Sequence, residues 1–283
     1  MMSSSMKCPV CSEEVRPHER HCTACQTDCG FPNVRAAEQD DERQALASRV
    51  ADAEHQADKK GTAPLLAKLR AAARLSRAVR VRSLDEVYAL VKSDDKLMGT
   101  FYDLKGAGLL RPSATEMEAS RQSAEPLVFP NYQDKIQFAA LTLDDTGLFT
   151  YGNCAMIFQE AKIANRTTVF EENCVFFCQR RDIGPARPTV PRGYRATWAR
   201  REDLVVAKLG PRLAVHTQES DFPSILLSSG SDPSRDKFVE VHIYDRLHRS
   251  ALDYIVVRPK RPGDKTLVRQ MKVFLGDGRV RVV

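Results

Sequence analysis

Hydrophobic spacing divides the chain into three textures. Residues 33–60 are rich in Ala, Glu and Gln, hold no Gly or Pro, and carry few large apolar side chains. That composition predicts a helix exposed on most of its surface, a connector. Gly61-Thr-Ala-Pro64 interrupts it, with Pro64 where a first helical turn tolerates proline. Leu65, Leu69, Ala72 and Val79 then fall on one face of a second predicted helix, and Arg70, Arg74 and Arg77 on the opposite one. Ser83-Leu-Asp-Glu86 has capping-box spacing and predicts a short helix through about Lys92.

Beyond Asp95 the apolar runs shorten, and Gly, Pro, aromatic and β-branched residues increase. Gly106-Ala-Gly-Leu-Leu-Arg-Pro112 reads as a loop. Strands are predicted over Ile136–Leu143, Asn153–Phe158, Thr168–Phe177, Phe238–Tyr244 and Leu252–Val257. Leu267–Leu275 and Arg279–Val283 read as a closing hairpin around Gly276-Asp-Gly278. Thr197–Leu209 reads as a helix, and Pro185–Arg195 as a loop. The fold expected is α+β: a small N-terminal module (1–32), a helical connector with a basic stripe (33–94) and a mixed, mainly-β domain (95–283).

Cysteine spacing defines the N-terminal module. Cys8-Pro-Val-Cys11 and Cys22-Thr-Ala-Cys25 give C-x2-C-x10-C-x2-C. Two such knuckles turn four thiolates toward one point and complete a tetrahedral zinc site, with no open position for catalysis. Residues 7–30 hold too little apolar content to fold without the metal, so binding and folding are expected to be coupled. The module resembles zinc ribbons. His18, His21 and Cys29 lie nearby and are read as surface or spare side chains.

Charge refines the picture. The net charge is +6, with 42% hydrophobic and 28% charged residues. Residues 64–82 carry six bases and no acid, and residues 254–283 eight bases and two acids. Arg70, Arg74, Arg77 and the basic C-terminal region are thus candidate contacts for nucleic acid or an acidic protein target. No run approaches a membrane span, and the first residues lack a signal peptide's apolar core. Thiols in metal-ligand spacing suit a reducing compartment, so a cytoplasmic location is expected.

The remaining chemistry lies on predicted strands. P-loop, dinucleotide-fold, zincin and nucleophile-elbow motifs are absent. Tyr151-Gly152 precedes one strand, Arg166-Thr167-Thr168 opens another, and Glu240 and His242 share a face in Val-Glu-Val-His-Ile-Tyr, before Ile255-Val-Val. A carboxylate between valines is costly in a buried strand unless it is partnered. An exposed edge strand would explain the same pattern. The order of these elements resembles the NAD-dependent ADP-ribosyltransferase fold, most closely its bacterial toxin-like members, over roughly residues 136–258.

The resemblance implies NAD as substrate. Glu240 would hold the nicotinamide ribose and stabilise an oxocarbenium-like transition state, and Arg166 would contact the NAD phosphates. Thr167 and Thr168 would brace the pocket beside His242, and Tyr151, following which Gly152 turns the chain, would stack on the nicotinamide. Two features depart from the pattern. Gly99-Thr-Phe-Tyr102 lacks the early cation, and Phe238 stands where many members have a second acid or amide. A non-enzymatic zinc-ribbon binding protein is the alternative, and a metal-dependent nuclease using Asp145 and Glu240 a third. Cys154, Cys174 and Cys178 are read as buried thiols rather than a second metal set, and Asp144-Asp-Thr-Gly as a turn.

Overall fold

A computed structural model describes residues 6–108 and 115–283. From residue 109 on, the loop expected over Gly106–Pro112 lies outside the described residues. The chain runs β1 (Met6–Lys7), β2 (Glu14–Val15), α1 (Pro32–Glu38), α2 (Asp40–Lys60), α3 (Ala63–Arg74), β3 (Arg77–Arg82), α4 (Leu84–Val91), β4 (Leu97–Met98), α5 (Phe101–Gly106) and α6 (Thr115–Val128). It continues β5 (Ile136–Thr142), β6 (Cys154–Phe158), α7 (Glu160–Ile163), β7 (Thr167–Phe170), α8 (Cys174–Arg180), β8 (Arg195–Thr197), α9 (Arg201–Leu209) and α10 (Phe222–Leu226). β9 (Glu240–Tyr244), β10 (Leu247–His248), β11 (Leu252–Val257), α11 (Asp264–Leu275) and β12 (Val280–Val282) complete it.

Eight strands form one sheet in the order β12-β11-β6-β3-β5-β9-β7-β8. Only β11 and β12 pair in parallel. Register sets the two faces, because side chains alternate along each strand. One face presents Ala78, Ala139, Leu141, Met156, Val169, Val241, Ile243 and Ile255 to the main core, closed by α2, α3, α4, α9 and α11. The other presents Phe138, Phe170 and Tyr244 to an aromatic core under α6 and α8, and Val79, Val81, Ala140 and Ile157 to a third cluster with Leu148, Leu227 and Phe238. The body is therefore three-layered. Helix outweighs strand among the described residues, so the expectation of a mainly-β domain is corrected to a mixed α/β one.

Covered faces explain where the alternation misled. Every residue of β6, β7 and β9 is buried, so β6 and β7 show no apolar/polar alternation, and the alternation in β9 does not mark a face exposed to water. The run Thr168–Phe177 is not one strand. β7 ends at Phe170, and Asn173 Oδ1 accepts from the amides of Val175 (3.0 Å) and Phe176 (3.3 Å), capping α8. Leu267–Leu275 is helical, with Val268, Met271 and Leu275 buried at helical spacing. Gly276 ends that helix, and β12 then runs parallel to β11 instead of closing a hairpin. The Ser83–Glu86 capping box and the strand over Cys154–Phe158 form as expected.

Residues 33–94 do not stand apart as a connector. α2 buries Glu42, Leu46, Ala53 and Ala57 against the body, and β3 lies inside the sheet between β6 and β5. The second helix stops at Arg74, so Arg77 belongs to β3 and the predicted arginine stripe does not form. Arg70 pairs with Glu54 at 2.7 Å, Arg74 with Glu202 at 3.1 Å, and Arg77 with Asp145 and Asp253. Among the described residues no helix is long and apolar enough to cross a membrane.

Glu42 fixes α2 to the β8 edge. Its carboxylate, 1% exposed, accepts from the Gly193 amide at 2.8 Å and the Arg195 amide at 3.3 Å. Gly193 has φ +83°, and a Cβ there would lie 2.7 Å from the Ala45 carbonyl carbon. Both effects require glycine. Gly193→Ala is expected to lower unfolding free energy by about 2–4 kcal/mol in chemical denaturation; a loss below about 0.5 kcal/mol would show that this contact does not hold α2 in place.

Candidate functional sites

The N-terminal thiols form a cluster of metal-binding geometry. Two turns with the same hydrogen bonding hold it. The Cys8 amide donates to Glu13 O at 2.8 Å and its carbonyl accepts from Ser12 at 3.0 Å; the Cys22 amide donates to Thr27 O and its carbonyl accepts from Gln26, both at 2.9 Å. Ser12 and Gln26 each take positive φ, 62° and 60°, at equivalent places in the two turns. The four Sγ atoms of Cys8, Cys11, Cys22 and Cys25 lie within 4.8 Å of one another, with Cys8–Cys25 and Cys11–Cys22 at 3.5 Å. Zinc–sulfur bonds of ~2.3 Å in a tetrahedron set sulfur–sulfur distances of ~3.8 Å, which this arrangement approaches. Among the described residues no other group of His, Cys, Asp and Glu has such geometry, so Cys154, Cys174 and Cys178 do not assemble with a histidine.

α1 ties this module to the body. Arg35 donates to the carbonyls of Cys29 (3.0 Å), Arg16 (3.2 Å), Pro17 (3.0 Å) and Glu19 (2.6 Å). Phe31 lies under the Arg20 guanidinium and 5.5 Å from the Tyr244 ring.

Glu240 and His242 point into the aromatic layer. Both are 2% exposed, with His242 Nε2 2.8 Å from Glu240 Oε2. Glu240 Oε2 also accepts from the Cys174 amide at 3.0 Å, and Oε1 from Asn173 Nδ2 at 3.3 Å. The start of α8 therefore meets the carboxylate with both a backbone amide and its capping side chain. The His242 ring is enclosed by Phe129 at 4.6 Å, Phe138 at 5.5 Å and Phe170 at 5.6 Å. From the opposite side of the sheet, Lys208 on α9 donates to Phe238 O at 2.6 Å and to Glu171 O, joining the strand ends that flank Glu240. Burial depresses this ammonium to about 8.

More charge lies beneath α6. Arg121 Nε is 3.1 Å from Glu125 Oε1, and its guanidinium sits over the Phe101 and Phe138 rings. Among the described residues neither Glu125 oxygen has a hydrogen bond of good geometry, nor does the buried Tyr102 hydroxyl. Burial pushes Glu125 up to about 7, against the opposing effect of Arg121. Tyr151 is 38% exposed, and its hydroxyl is raised to about 12, first by its partial burial and then by the Asp236 and Glu240 carboxylates.

The residues singled out on the sequence divide between two places. Tyr151 is partly exposed in the turn before β6, and Gly152 lets the chain approach the end of β3, since a Cβ would lie 2.2 Å from Arg82 O. Thr168 pairs with His242 across the strands. Arg166 is at the far end of β9, donating to Tyr244 O at 3.0 Å and Arg246 O at 3.3 Å. A five-residue strand spans ~16 Å, so this guanidinium is well separated from Glu240. Thr167 faces the other layer and donates to Ile163 O at 2.7 Å. Asp145 is held by Arg77 and Arg281 and joins no acidic group, while Asp144 accepts from Thr146 in a turn. Asn173, Cys174, Arg121, Glu125 and Lys208 were not legible as site residues. The local signals were the Asn173 cap and the Arg121–Glu125 spacing. No known protein family matches the chain, and no curated protein matches it.

The Glu125 carboxyl carries a pH signature. Its folded-state value, about 7, lies above the ordinary carboxyl value of 4.5, so the folded protein binds the proton more tightly. Its contribution is fully present below the unfolded value and is lost as pH rises toward 7, by about 3 kcal/mol. Glu125→Gln is expected to remove that loss, making the variant more stable than wild type at pH 8 but not at pH 4.5 in denaturant titrations. Equal pH dependence in the two proteins would refute it.

Proposed function

We propose that the chain is a zinc-ribbon protein whose α/β body carries an NAD-dependent ADP-ribosyltransferase site at Glu240. The observation that supports this reading most is the ionisable cluster beneath α6 and α8: buried Glu240, His242 and Glu125 with half-buried Arg121 and Tyr102. Such a concentration of polar groups exceeds what packing requires, and enclosed titratable groups gather at functional sites. Glu240 is oriented by His242, Asn173 and the Cys174 amide, as a carboxylate that stabilises positive charge on a ribose must be. Tyr151, partly exposed, would be the residue that stacks on nicotinamide. Arg166 and Thr167 serve the far end of the β7–β9 pair and have no part in this reading. The acceptor is a nucleic acid or protein. The described ion pairs occupy Arg70, Arg74 and Arg77, so the basic C-terminal region, with Lys260, Lys265 and Arg269, is the surface proposed to meet it.

Glu240→Gln, close to isosteric, is expected to lower nicotinamide release from NAD by about 10²–10³-fold while circular dichroism stays unchanged. Undiminished release would overturn the assignment.

The near-complete enclosure of Glu240 favours a second reading, in which the Glu240–His242 pair is structural and the protein binds a partner without catalysis. Under that reading NAD gives neither turnover nor a thermal shift.

Cys8, Cys11, Cys22 and Cys25 would hold zinc, which supplies a cross-link where the module has almost no core of its own. The purified chain is expected to contain about one zinc, lost in Cys8→Ser. A protein free of metal whose ribbon nevertheless remains folded would contradict the assignment.

A further inference from the structure

Two side chains of α1 join the cysteine module to the strand that carries Glu240 and His242: Asn33 on the strand side and Arg35 on the module side. Asn33, in the first turn of α1, is 2% exposed although it belongs to the segment that follows the ribbon. Its Nδ2 donates to His242 O at 3.2 Å, to Arg166 O at 3.1 Å and to Thr168 Oγ1 at 3.4 Å. Two N–H bonds are thus shared among three acceptors, on β9, on β7 and at the residue just before β7. Among the described residues the buried Asn33 Oδ1 has no partner. An amide in that state is held by its neighbours rather than by its own full set of bonds. Two residues further along the same short helix, Arg35 grips four carbonyls of the ribbon, among them Cys29 O. His242 in turn contacts Glu240 at 2.8 Å.

We propose that Asn33 is a positioning residue through which the filled cysteine cluster sets the β7–β9 register and, with it, the Glu240–His242 pair. The functional consequence rests on the Glu240 reading above; the mechanical link does not. The ribbon loops that Arg35 binds have almost no core beyond Met6, Cys8, Val15, Cys22 and Cys29, so they keep their shape only while the four thiols are tied together. Losing that tie frees Arg35, releases the start of α1 and withdraws the Asn33 amide from both strands. β3 and β6 lie beyond β5 in the sheet and receive nothing from α1, so they stay in place.

Hydrogen exchange of the full chain tests this, comparing zinc-loaded protein, protein stripped by a chelator, and zinc-loaded Asn33→Ala. Stripping is expected to speed exchange of residues 167–170 and 240–244 by about tenfold, the scale of one or two lost hydrogen bonds, and to spare 77–82 and 154–158. Asn33→Ala should reproduce that loosening with zinc content unchanged, and stripping it should add nothing more in those strands. Arg35→Gln, which leaves the Asn33 amide intact, should make the strands insensitive to zinc and covers the case in which Asn33→Ala does not fold. Unchanged protection of 167–170 and 240–244 on stripping, or equal loosening of all four segments, would overturn the proposal. Nicotinamide release measured on the same samples separates the two ideas. Turnover that survives Glu240→Gln defeats the catalytic reading alone, whereas unresponsive strands defeat the coupling alone.

Discussion

Burial of both faces of the sheet is the constraint from which the rest follows. A strand covered on one side can turn its polar side chains to water, but β9 cannot. Glu240 and His242 must find their partners in protein, and they find each other, the Asn173 side chain and the Cys174 amide. Leaving a carboxylate unpartnered at this depth would cost several kcal/mol, so this small network has to form with the fold rather than after it. It also explains the irregular path after β7, where the chain leaves the sheet at Phe170 to bring the start of α8 to Glu240.

The same constraint organises the surroundings. Lys208 and Arg49 reach the 171–174 turn from the helical layer, Lys208 through Glu171 O and Arg49 through the Glu171 carboxylate at 2.8 Å. Asn33 reaches the other end of the strand pair from α1. The β7–β9 pair is consequently fastened at both ends by side chains from distant parts of the chain, while the sheet itself supplies only its backbone ladder. Arginines that look on the sequence like a free basic surface are largely spent on this framework. Arg77 meets Asp145, Asp253 and Tyr254, Arg201 holds the carbonyls of Trp198 and Arg74, and Arg249 holds Val91 O and Asp94. The number of arginines in the sequence therefore overstates the basic side chains free to meet a partner, although internal pairing leaves the net charge at +6.

Local signals were legible where the cause is local. The capping box at Ser83 needs only residues three apart, and it forms. The helix at Leu267–Leu275 was readable from Val268, Met271 and Leu275, but valine and phenylalanine in the same window favoured a strand by propensity. Arg70, Arg74 and Arg77 share a face only if the helix continues past Arg74, and β3 pairing with β5 and β6 ends it there. Arg166 and Glu240 belong to one site only through the resemblance. β7 and β9 are antiparallel, so the Arg166 end of β7 meets the Tyr244 end of β9, away from Glu240.

Two things were determined by the sequence alone. Four cysteines in two C-x2-C turns specify a metal-binding cluster, because each turn closes within a few residues and fixes its own thiols. Glu240 and His242 share a strand face because side chains alternate with period two. Which face that is, whether it meets water, and what satisfies the carboxylate were decided only by the tertiary structure. Asn173 is 67 residues from Glu240 and Asn33 is 209 from His242. Contacts over such separations leave no trace in spacing or periodicity, since they depend on which layers close over the sheet.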